Sequence, residues 1–503
     1  MKKSVLALDA GTSSVKAVLV DEDGHILAST AEPYPSSMPH PGWMEQDPHD
    51  YWQAAGIASR RIMETIGSSA NLCGLVFTTQ AMGIIPLDEQ GKVLHPNITW
   101  VDGRAEEEAG WFMNRFLGRR VFKKIIGIEI TGKDVLPKLR WLMKHRPDIY
   151  SRAHRILDVN GYLRYRATGQ MTFEWSGACS YTFDLKKKDW TRWLFRFIGF
   201  DMRKLPPLVR STDQVGVLLP DAADQLGLPP GLPVFGGCDD TQSAAIGSGA
   251  TGEGDAHIYL GTSAWVGVMT SKIFGFKNGA VCLQSADPEK NIVVGITESA
   301  GSNIDWIIRN FYSKEEKEAP QQVYSLANLE AETINPGSDH LLMTPWLFGE
   351  RCPVGTTTTR GTLFNLTQYH TRGHIVRAMS EGIAYNLRWI IENMRRDFGF
   401  PMKKLRIIGG GTQSESWMQI IADVTGCVIE KTHDPRMAGA LGAAFCAFVG
   451  LGIYPGFTHA GKVIQPLRSW EPNPANSEVY RQGFTHYREL FHTNKKLYTR
   501  LNS

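Results

Sequence analysis

Residues 5–20 read VLALDAGTSSVKAVLV, two apolar runs joined by a short polar segment that contains one glycine. The runs Val5–Leu8 and Val15–Val20 are typical of strands, and a third strand is predicted at about Ile26–Thr30. The turn-forming residues Ala-Gly-Thr-Ser-Ser and Asp-Glu-Asp-Gly-His separate the three runs. The pattern therefore predicts a meander of strands that opens a sheet.

A comparable pattern returns in the second half of the chain. A Pro-Val-Phe-Gly-Gly run at 233–237 leads to the adjacent Asp239 and Asp240, and Ala256–Leu260 precedes the turn Gly261-Thr262-Ser263. Two strand-and-turn units of one kind predict an α/β fold of two related domains that face each other across a cleft. Such a cleft is a preferred place for a small ligand.

The boundary between the two domains is expected near 249–254, where glycines are frequent. We expect an N-terminal domain at 1–250, a C-terminal domain at 251–455, and a C-terminal helical extension at 456–503 whose basic, aromatic end packs on the surface. Helical periodicity is clearest in three segments. These are His374–Met394, Ser416–Thr425 and Ala438–Val449.

The composition excludes several classes of function. The 54 basic and 51 acidic residues give a net charge of +3, spread along the chain, so no strong field favours nucleic acid or a membrane surface. No apolar run has membrane-spanning length, and Asp9 interrupts the apolar start before it could act as an export signal. The seven cysteines show neither CxxC pairing nor a histidine cluster, which predicts reduced, mostly buried thiols. We therefore expect a cytoplasmic protein with a small-molecule partner.

Two common nucleotide motifs are excluded by the sequence. The stretch Gly127–Asp134 matches most of a P-loop, but Asp134 stands where a Ser or Thr hydroxyl would bind Mg²⁺, and its carboxylate would repel phosphate. No Gly-x-Gly-x-x-Gly run follows a strand in the manner of a dinucleotide-binding fold. Phosphate must therefore be held by other segments.

The segment after the first strand offers such a site. Asp9 ends the strand, and Gly11 allows the backbone to approach a phosphate closely. The other polar residues of this hairpin are Thr12, Ser13, Ser14 and Lys16. Asp9 would face a hydrated Mg²⁺ ion, because Mg²⁺ keeps several waters and takes few protein carboxylates. A plain β-turn has the same composition, but the recurrence at Gly261-Thr262-Ser263 favours phosphate binding by both turns.

A third segment combines a strand with a run of glycines. Leu405–Ile408 is followed by Gly409, Gly410 and Gly411, and a helix is expected from about Ser416. Three glycines cost conformational entropy, which is easiest to understand if a base or phosphate must lie against the backbone. We expect Gly410, Gly411 and Gln413 to contact a nucleotide, although a close strand-helix crossing would also require glycine here.

Together these segments resemble the FGGY family of carbohydrate kinases, whose members share a fold of two actin-like (ribonuclease H-like) ATPase domains. The resemblance extends over about residues 4–450 and includes the blocks Pro41–Pro48, Trp100–Arg104, Lys138–Leu142, Gly349–Pro353 and Gly361–Glu381. Three positions depart from the family pattern: Asn365 replaces a glycine, Ser380 an apolar residue, and Val135 a small polar residue or proline. The resemblance implies ATP and Mg²⁺ as cofactors.

The resemblance also implies a general base. In this family an aspartate in a glycine-rich segment before the interdomain hinge accepts the proton of the sugar hydroxyl, and its spacing to Gly247 selects Asp240. Asp239 lies where relatives often have glycine and is the second candidate. An alcohol is too weak an acid to ionise beforehand, so a carboxylate must take its proton as the bond to phosphorus forms. The structural alternative for Asp240 is an N-cap of the following helix, a role that Asp239 could fill instead.

The phosphate turns take matching roles in this scheme. Asp9 with Mg²⁺, Thr12 and Ser13 would hold the leaving diphosphate, while Thr262 and its neighbours would hold the transferring group.

Two of these blocks bear on the identity of the substrate. The blocks Pro41–Pro48 and Trp100–Arg104 look closest to xylulose kinases. Those relatives commonly carry a Gln-Met-His run that binds the sugar, whereas this chain has Gln80-Ala81-Met82 with Met82 in the place of the histidine. A thioether removes two hydrogen-bonding nitrogens and favours an apolar or differently placed substrate group. The residues expected to contact the sugar are Gln80, Met82, Trp100, Asp102 and Arg104. For Asp102 and Arg104 the alternative is a surface ion pair, which is often incidental.

The leading hypothesis is ATP-dependent phosphorylation of a ketopentose such as xylulose or ribulose. Glycerol or gluconate kinase activity is the alternative within the family, and an actin-like ATPase without a sugar acceptor is the alternative from a different class. A catalytically silent sugar sensor is a third reading, disfavoured by the retained Asp9, Thr12 and Asp240. The expected partners are a small sugar or polyol and at most a second copy in a homodimer, with no nucleic acid and no membrane.

Overall fold

The computed structural model describes residues 2–66, 71–115, 118, 130–356 and 358–502. The N-terminal half builds a six-stranded sheet in the spatial order β5-β6-β4-β1-β2-β3. Its strands are β1 Lys3–Ala10, β2 Ser14–Asp21, β3 Ile26–Pro33, β4 Asn71–Thr79, β5 Gln214–Val217 and β6 Pro233–Asp239. The predicted meander β1-β2-β3 is confirmed as antiparallel, β4 runs parallel to both β1 and β6, and β5 is an antiparallel edge.

The C-terminal half repeats this arrangement in a seven-stranded sheet of order β9-β10-β8-β7-β11-β12-β13. Its strands are β7 Ala256–Leu260, β8 Ala264–Thr270, β9 Ala280–Gln284, β10 Asn291–Ile296, β11 Lys404–Ile408, β12 Val428–Thr432 and β13 Pro466–Trp470. Again an antiparallel meander is followed by two parallel strands and an antiparallel edge. Two related α/β domains are thus confirmed. Pro233–Asp239 does not begin the second unit, however, because it pairs with β4 and completes the first sheet.

Helices cover the sheets, and the three predicted helices are confirmed with slightly longer bounds. No helix among the described residues is both long and apolar enough to cross a bilayer. The α-helices are Pro48–Ile66, Glu106–Arg115, Val135–His145, Pro147–Arg152, Val159–Thr168, Trp175–Ser180, Arg192–Ile198, Pro220–Leu226, Asp240–Gly247, Gly301–Phe311, Ser313–Glu318, Val323–Glu332, Arg372–Phe398, Glu415–Thr425, Ala438–Gly450, Thr458–Val463 and Ser477–Asn502.

One helix from each half joins the two sheets. Helix Ala438–Gly450 lies late in the chain, yet it shares a hydrophobic core with Val5, Val76 and Phe235 of the first sheet. It crosses helix Asp240–Gly247 so closely that the two backbones touch. The run of small residues in the sequence of Ala438–Gly450 is what makes this contact sterically feasible.

The C-terminal extension is more deeply embedded than the sequence predicted. It contains β13, which pairs with β12, in addition to helices. The aromatic side chains of helix Ser477–Asn502 are buried against Trp346, Tyr385 and Trp389 instead of lying on the surface. The aromatic residues recur at helical spacing and form one apolar face, and burying that face is more favourable than leaving it exposed. The helix is therefore buried against the second domain, where the sequence had predicted a surface helix.

His257 gives the fold a pH dependence that can be measured. It is fully buried on β7, its Nε2 accepts a hydrogen bond of 3.1 Å from the indole of Trp265, and its Nδ1 has no partner in the described parts of the chain. Burial lowers the pKa of His257 to about 3. Below about pH 6.5 the unfolded chain therefore binds a proton at His257 that the folded chain does not bind. The free energy of unfolding is then highest above that pH and falls as the pH is lowered.

We expect wild type to lose about 2 kcal/mol more stability between pH 7 and pH 5 than His257→Gln, because glutamine keeps the acceptor for Trp265 but does not titrate. Urea unfolding at the two pH values measures the difference. Equal losses in both proteins would contradict the assignment.

Candidate active site

The turn Gly11–Ser13 follows β1; the sequence predicts that it binds phosphate, and it is called the phosphate turn below. The four carbonyl oxygens of residues 10–13 all accept hydrogen bonds from the N-terminal half. The donors are, in order, Gln80 N–H at 2.9 Å, the Tyr34 hydroxyl, Gln46 Nε2 at 2.7 Å and Tyr34 N–H at 3.2 Å. The backbone N–H groups of Thr12 and Ser13 have no partner among the described residues. These N–H groups and the adjacent hydroxyls are therefore the groups left to bind a phosphate.

Three charged side chains lie together beside this turn. Lys16 Nζ is 3.5 Å from Asp9 Oδ2, across the β1–β2 pair, and the Asp9 carboxylate raises the pKa of Lys16. Burial, with a further contribution from Asp9, raises the pKa of Asp240 to about 6. Asp240 is still ionised at neutral pH, and it is more basic than an ordinary aspartate.

The two adjacent aspartates occupy different environments. Asp240 is half-buried and begins helix Asp240–Gly247, whereas Asp239 is 3% exposed and its N–H donates to Ser176 Oγ at 2.9 Å. Asp239 stands at the N-cap position of this helix, but its side chain makes no capping hydrogen bond in the described structure. The Asp240 side chain accepts a hydrogen bond from the hydroxyl of Thr241.

Asp239 is surrounded by other buried carboxylates, Asp158 and Glu174, with the Arg164 guanidinium as the balancing charge. Burial and these carboxylates raise the pKa of Asp239 well above its usual range. The Asp239 carboxylate is thus buried, and its Oδ1 has no partner among the described residues, while Asp240 faces Asp9 and Lys16.

The second turn, Gly261–Ser263, lies near the first, because Tyr259, two residues before it, is close to Lys16, Asp240 and Asp9. The Tyr259 ring stacks on Trp265 at 3.9 Å between centroids, and Lys16, Asp240 and Asp9 all act on its pKa, which burial raises. Helix Gly301–Phe311 begins at this turn, because Ala300 N–H donates to the Thr262 carbonyl at 2.8 Å. The two predicted turns therefore line one cleft.

The glycine segment packs on the base of the second turn. Strand β11 lies parallel to β7, so Gly409 follows directly beside Leu260. Gly409 has φ +100°, and a Cβ there would lie 2.5 Å from the Leu260 carbonyl oxygen, which only glycine avoids. Gly410 and Gln413 are exposed and Gly411 is half-buried, so all three are accessible to a ligand in the cleft. Their contact with a nucleotide remains a prediction.

The Trp100–Arg104 block meets the phosphate turn at one end and forms a buried ion pair at the other. Trp100 Nε1 donates to Thr12 Oγ1 at 3.1 Å. Asp102 accepts from Met44 N–H at 2.6 Å and from Arg104 Nη2 at 2.7 Å, and Arg104 also pairs with Glu45 at 2.8 Å. Asp102 and Arg104 thus form an ion pair, as the alternative assumed, but the pair is buried and does not lie on the surface. Their contact with a sugar stays a prediction.

Gln80 and Met82 follow β4 at the same edge of the sheet. Gln80 is 2% exposed, and its amide oxygen has no partner in the described residues. Met82 is half-buried with φ +63°, a conformation that non-glycine residues adopt rarely. Thus the position that carries histidine in many relatives holds a thioether on an unusual backbone.

Some residues of the site were not identified from the sequence. Gln46 and Tyr259 each reach the cleft through contacts made after folding. A Cβ on Gly439 would lie 3.1 Å from Asp9 Oδ2, so helix Ala438–Gly450 begins against Asp9. The Gly-Ala-Leu-Gly run at 439–442 was the available signal for this contact, since such a run permits close approach.

The discarded P-loop match packs beside the Trp100–Arg104 block, since a Cβ on Gly132 would lie 2.5 Å from the Gly103 carbonyl oxygen. Residues 127–129 of Gly127–Asp134 are outside the described residues. Within the described part, Asp134 Oδ2 accepts from Thr131 N–H at 2.7 Å and closes a turn before helix Val135–His145.

Comparison with known proteins agrees with this architecture. Residues 4–247 match the model of the FGGY family of carbohydrate kinases, N-terminal domain, and residues 256–451 match that of the C-terminal domain. The xylulose kinase of Lactococcus lactis is 30% identical over 97% of this chain and 96% of its own length. The gluconokinase of Bacillus subtilis is 27% identical over 96% of this chain and 94% of its own. The crystal structure of xylulose kinase from Rhodospirillum rubrum superposes with a TM-score of 0.88 at 27% identity, covering 99% of this chain and all of that one.

Proposed function

This chain belongs to the FGGY family of carbohydrate kinases, and from that premise we propose that it transfers the γ-phosphoryl group of ATP to a hydroxyl of a ketopentose, xylulose first. The observation that carries the proposal is the cleft where Asp240 faces Asp9 and Lys16. The turns Gly11–Ser13 and Gly261–Ser263 beside it are the segments that we expect to bind phosphate. The 30% identity to a protein named xylulose kinase, over nearly the whole chain, supports the choice of sugar. We further propose that the reaction takes place in the cytoplasm, where ATP is available.

In the proposed reaction Asp240 receives the proton of the attacking hydroxyl. As the new oxygen–phosphorus bond forms, the bond from the γ-phosphorus to the bridging oxygen breaks, and ADP leaves with the electron pair. The free N–H groups of Thr12 and Ser13 and the ammonium of Lys16 hold the β-phosphate, while the Gly261–Ser263 turn orients the transferring group. Asp240 acts mainly by position, since its carboxylate must lie beside the reacting hydroxyl.

A Mg²⁺ ion fits the residues that line this cleft. Asp9 and Asp240 place two carboxylates near a single ammonium, so the site has an excess of acceptors that a cation would balance. Asp9 would hold the ion through water, and the ion would neutralise charge on the phosphates.

The proposal is tested by measuring ADP release with xylulose, ribulose, ribitol, glycerol, gluconate and fructose as acceptors. We expect turnover that depends on acceptor and is fastest with a ketopentose. Release of ADP at one rate with every sugar and with none would instead support an actin-like ATPase. An absence of ADP release in all conditions would support a silent sugar sensor.

Gluconate is the second candidate, because Met82 removes the histidine expected in xylulose kinases and a gluconokinase is among the relatives. Met82→His should lower KM for xylulose about three- to tenfold, since one added hydrogen bond contributes about 1 kcal/mol. Histidine also tolerates the positive φ at this position better than methionine does. Steady-state kinetics with xylulose and gluconate measure the change. A lower KM for gluconate alone would reverse the order of the two candidates.

A further inference from the structure

Gln46 belongs to the Pro41–Pro48 block and takes no direct part in the proposed phosphoryl transfer. Its side chain is 2% exposed and makes four hydrogen bonds, the full capacity of an amide. Nε2 donates to the Thr12 carbonyl at 2.7 Å and to Ser36 Oγ at 2.8 Å. Oε1 accepts from Tyr51 Oη at 2.8 Å and from Gln80 Nε2 at 2.8 Å. One amide thus joins the phosphate turn to a predicted sugar-binding residue.

The direction of these bonds is set by two backbone groups that cannot rotate. At one end Ile84 N–H donates to Asn97 Oδ1 at 2.8 Å, so the Asn97 amide nitrogen must face Tyr51, to which it donates at 2.8 Å. The Tyr51 hydroxyl then gives its own proton to Gln46. At the other end the Thr12 carbonyl can only accept. Both ends therefore require Oε1 of Gln46 to point at Tyr51 and Gln80.

This order determines which way the Gln80 amide faces. Since Gln46 offers an acceptor, Gln80 must turn its nitrogen toward it, and the Gln80 oxygen is left over. That oxygen is buried and has no partner among the described residues. A buried amide oxygen without a partner costs free energy, which a donated hydrogen bond would recover. A sugar hydroxyl is a donor of this kind.

We propose that Gln46 is a positioning residue that fixes the Thr12 turn and orients Gln80 so that its amide oxygen accepts a hydroxyl donated by the acceptor sugar. This inference rests on the proposed function and adds a substrate requirement to it. The substrate must carry a free hydroxyl at the position that meets Gln80. One amide thus serves both sites, since its nitrogen holds the Thr12 turn and its oxygen orients Gln80.

Gln46→Glu and Tyr51→Phe test separately the contact of Gln46 with the Thr12 carbonyl and its contact with Gln80. The glutamate keeps the acceptor for Gln80 and Tyr51 but loses the donors, and its oxygen would face the Thr12 carbonyl. We expect a 10- to 100-fold loss of kcat/KM for ATP, with KM for sugar within threefold. Tyr51→Phe leaves Gln46 bonded to Thr12 but removes one of the two donors that hold its oxygen, so Gln80 is held less firmly. KM for sugar should rise about tenfold, with KM for ATP little changed. Gln53→Glu, an exposed position on helix Pro48–Ile66, is the matched control.

Nucleotide binding provides a readout that does not depend on turnover. Calorimetric titration with ADP should show at least tenfold weaker binding to Gln46→Glu than to wild type or Gln53→Glu. If wild type has no acceptor-dependent turnover, the proposed function fails, while this titration still tests the turn-positioning half of the inference. Unchanged ADP affinity and kinetics in Gln46→Glu would overturn the inference. So would equal losses for both substrates in both variants accompanied by a lower melting temperature, since that pattern indicates general destabilisation.

Discussion

Asp240→Asn is expected to reduce kcat by about 10²–10⁴-fold, the range that a positioned general base contributes. Asparagine has nearly the same shape but cannot take the proton of the hydroxyl, so the KM values should change little. The spacing to Gly247 favours Asp240, and its environment agrees with this, because burial and Asp9 raise its pKa to about 6 while it remains at the cleft. Steady-state kinetics with the best acceptor from the screen measure the loss.

Asp239→Asn is the matched control, one residue away. Asp239 lies among Asp158, Glu174 and Arg164, where burial already favours its neutral form, so an uncharged isostere should keep kcat within about fivefold. A reversed result, with Asp239→Asn inactive and Asp240→Asn active, would transfer the role of base to Asp239. Loss of activity in both variants would show that the two carboxylates act as a unit.

Gly442→Ala is expected to be strongly destabilising, because Gly442 lies where the two domains meet. A Cβ on Gly442 would lie 1.8 Å from the Ser243 carbonyl oxygen, and one on Gly247 would lie 1.7 Å from that of Ala438. These contacts involve backbone of both crossing helices, so the clash cannot be relieved by turning a side chain. We expect a loss of about 3 kcal/mol or more in the free energy of unfolding, or no soluble protein.

Gly110→Ala provides the control for helix propensity. It makes the same chemical change inside helix Glu106–Arg115, where the added methyl would meet no described atom within 4 Å. Replacing a helical glycine by alanine in open space should stabilise by up to about 1 kcal/mol. Thermal unfolding of the two variants measures the contrast. Similar melting temperatures for both would mean that the two helices can separate without cost.

The departures from the family pattern show how sequence and structure complement each other. Asn365 stands where the family pattern has glycine, and its φ of +67° shows that the backbone there is left-handed. Glycine adopts this conformation readily, and asparagine tolerates it better than most other residues. Ser380 replaces an apolar residue but donates to the Val376 carbonyl at 2.9 Å within its own helix. Both departures thus fit the fold without touching the cleft.

Local patterns in the sequence predicted the strands of the first meander, the strand Ala256–Leu260, the Asp9–Lys16 and Gly261–Ser263 turns, the family and a preference for Asp240, because periodicity, turn chemistry and motif spacing are local. How distant residues meet depends on the tertiary structure. Helix Ala438–Gly450 packs on the first sheet, the aromatic residues of Ser477–Asn502 enter the second core, and Gln46 joins Thr12 to Gln80. The physical reason is that burial and hydrogen-bond satisfaction depend on which surfaces fold together, and no local pattern encodes that choice.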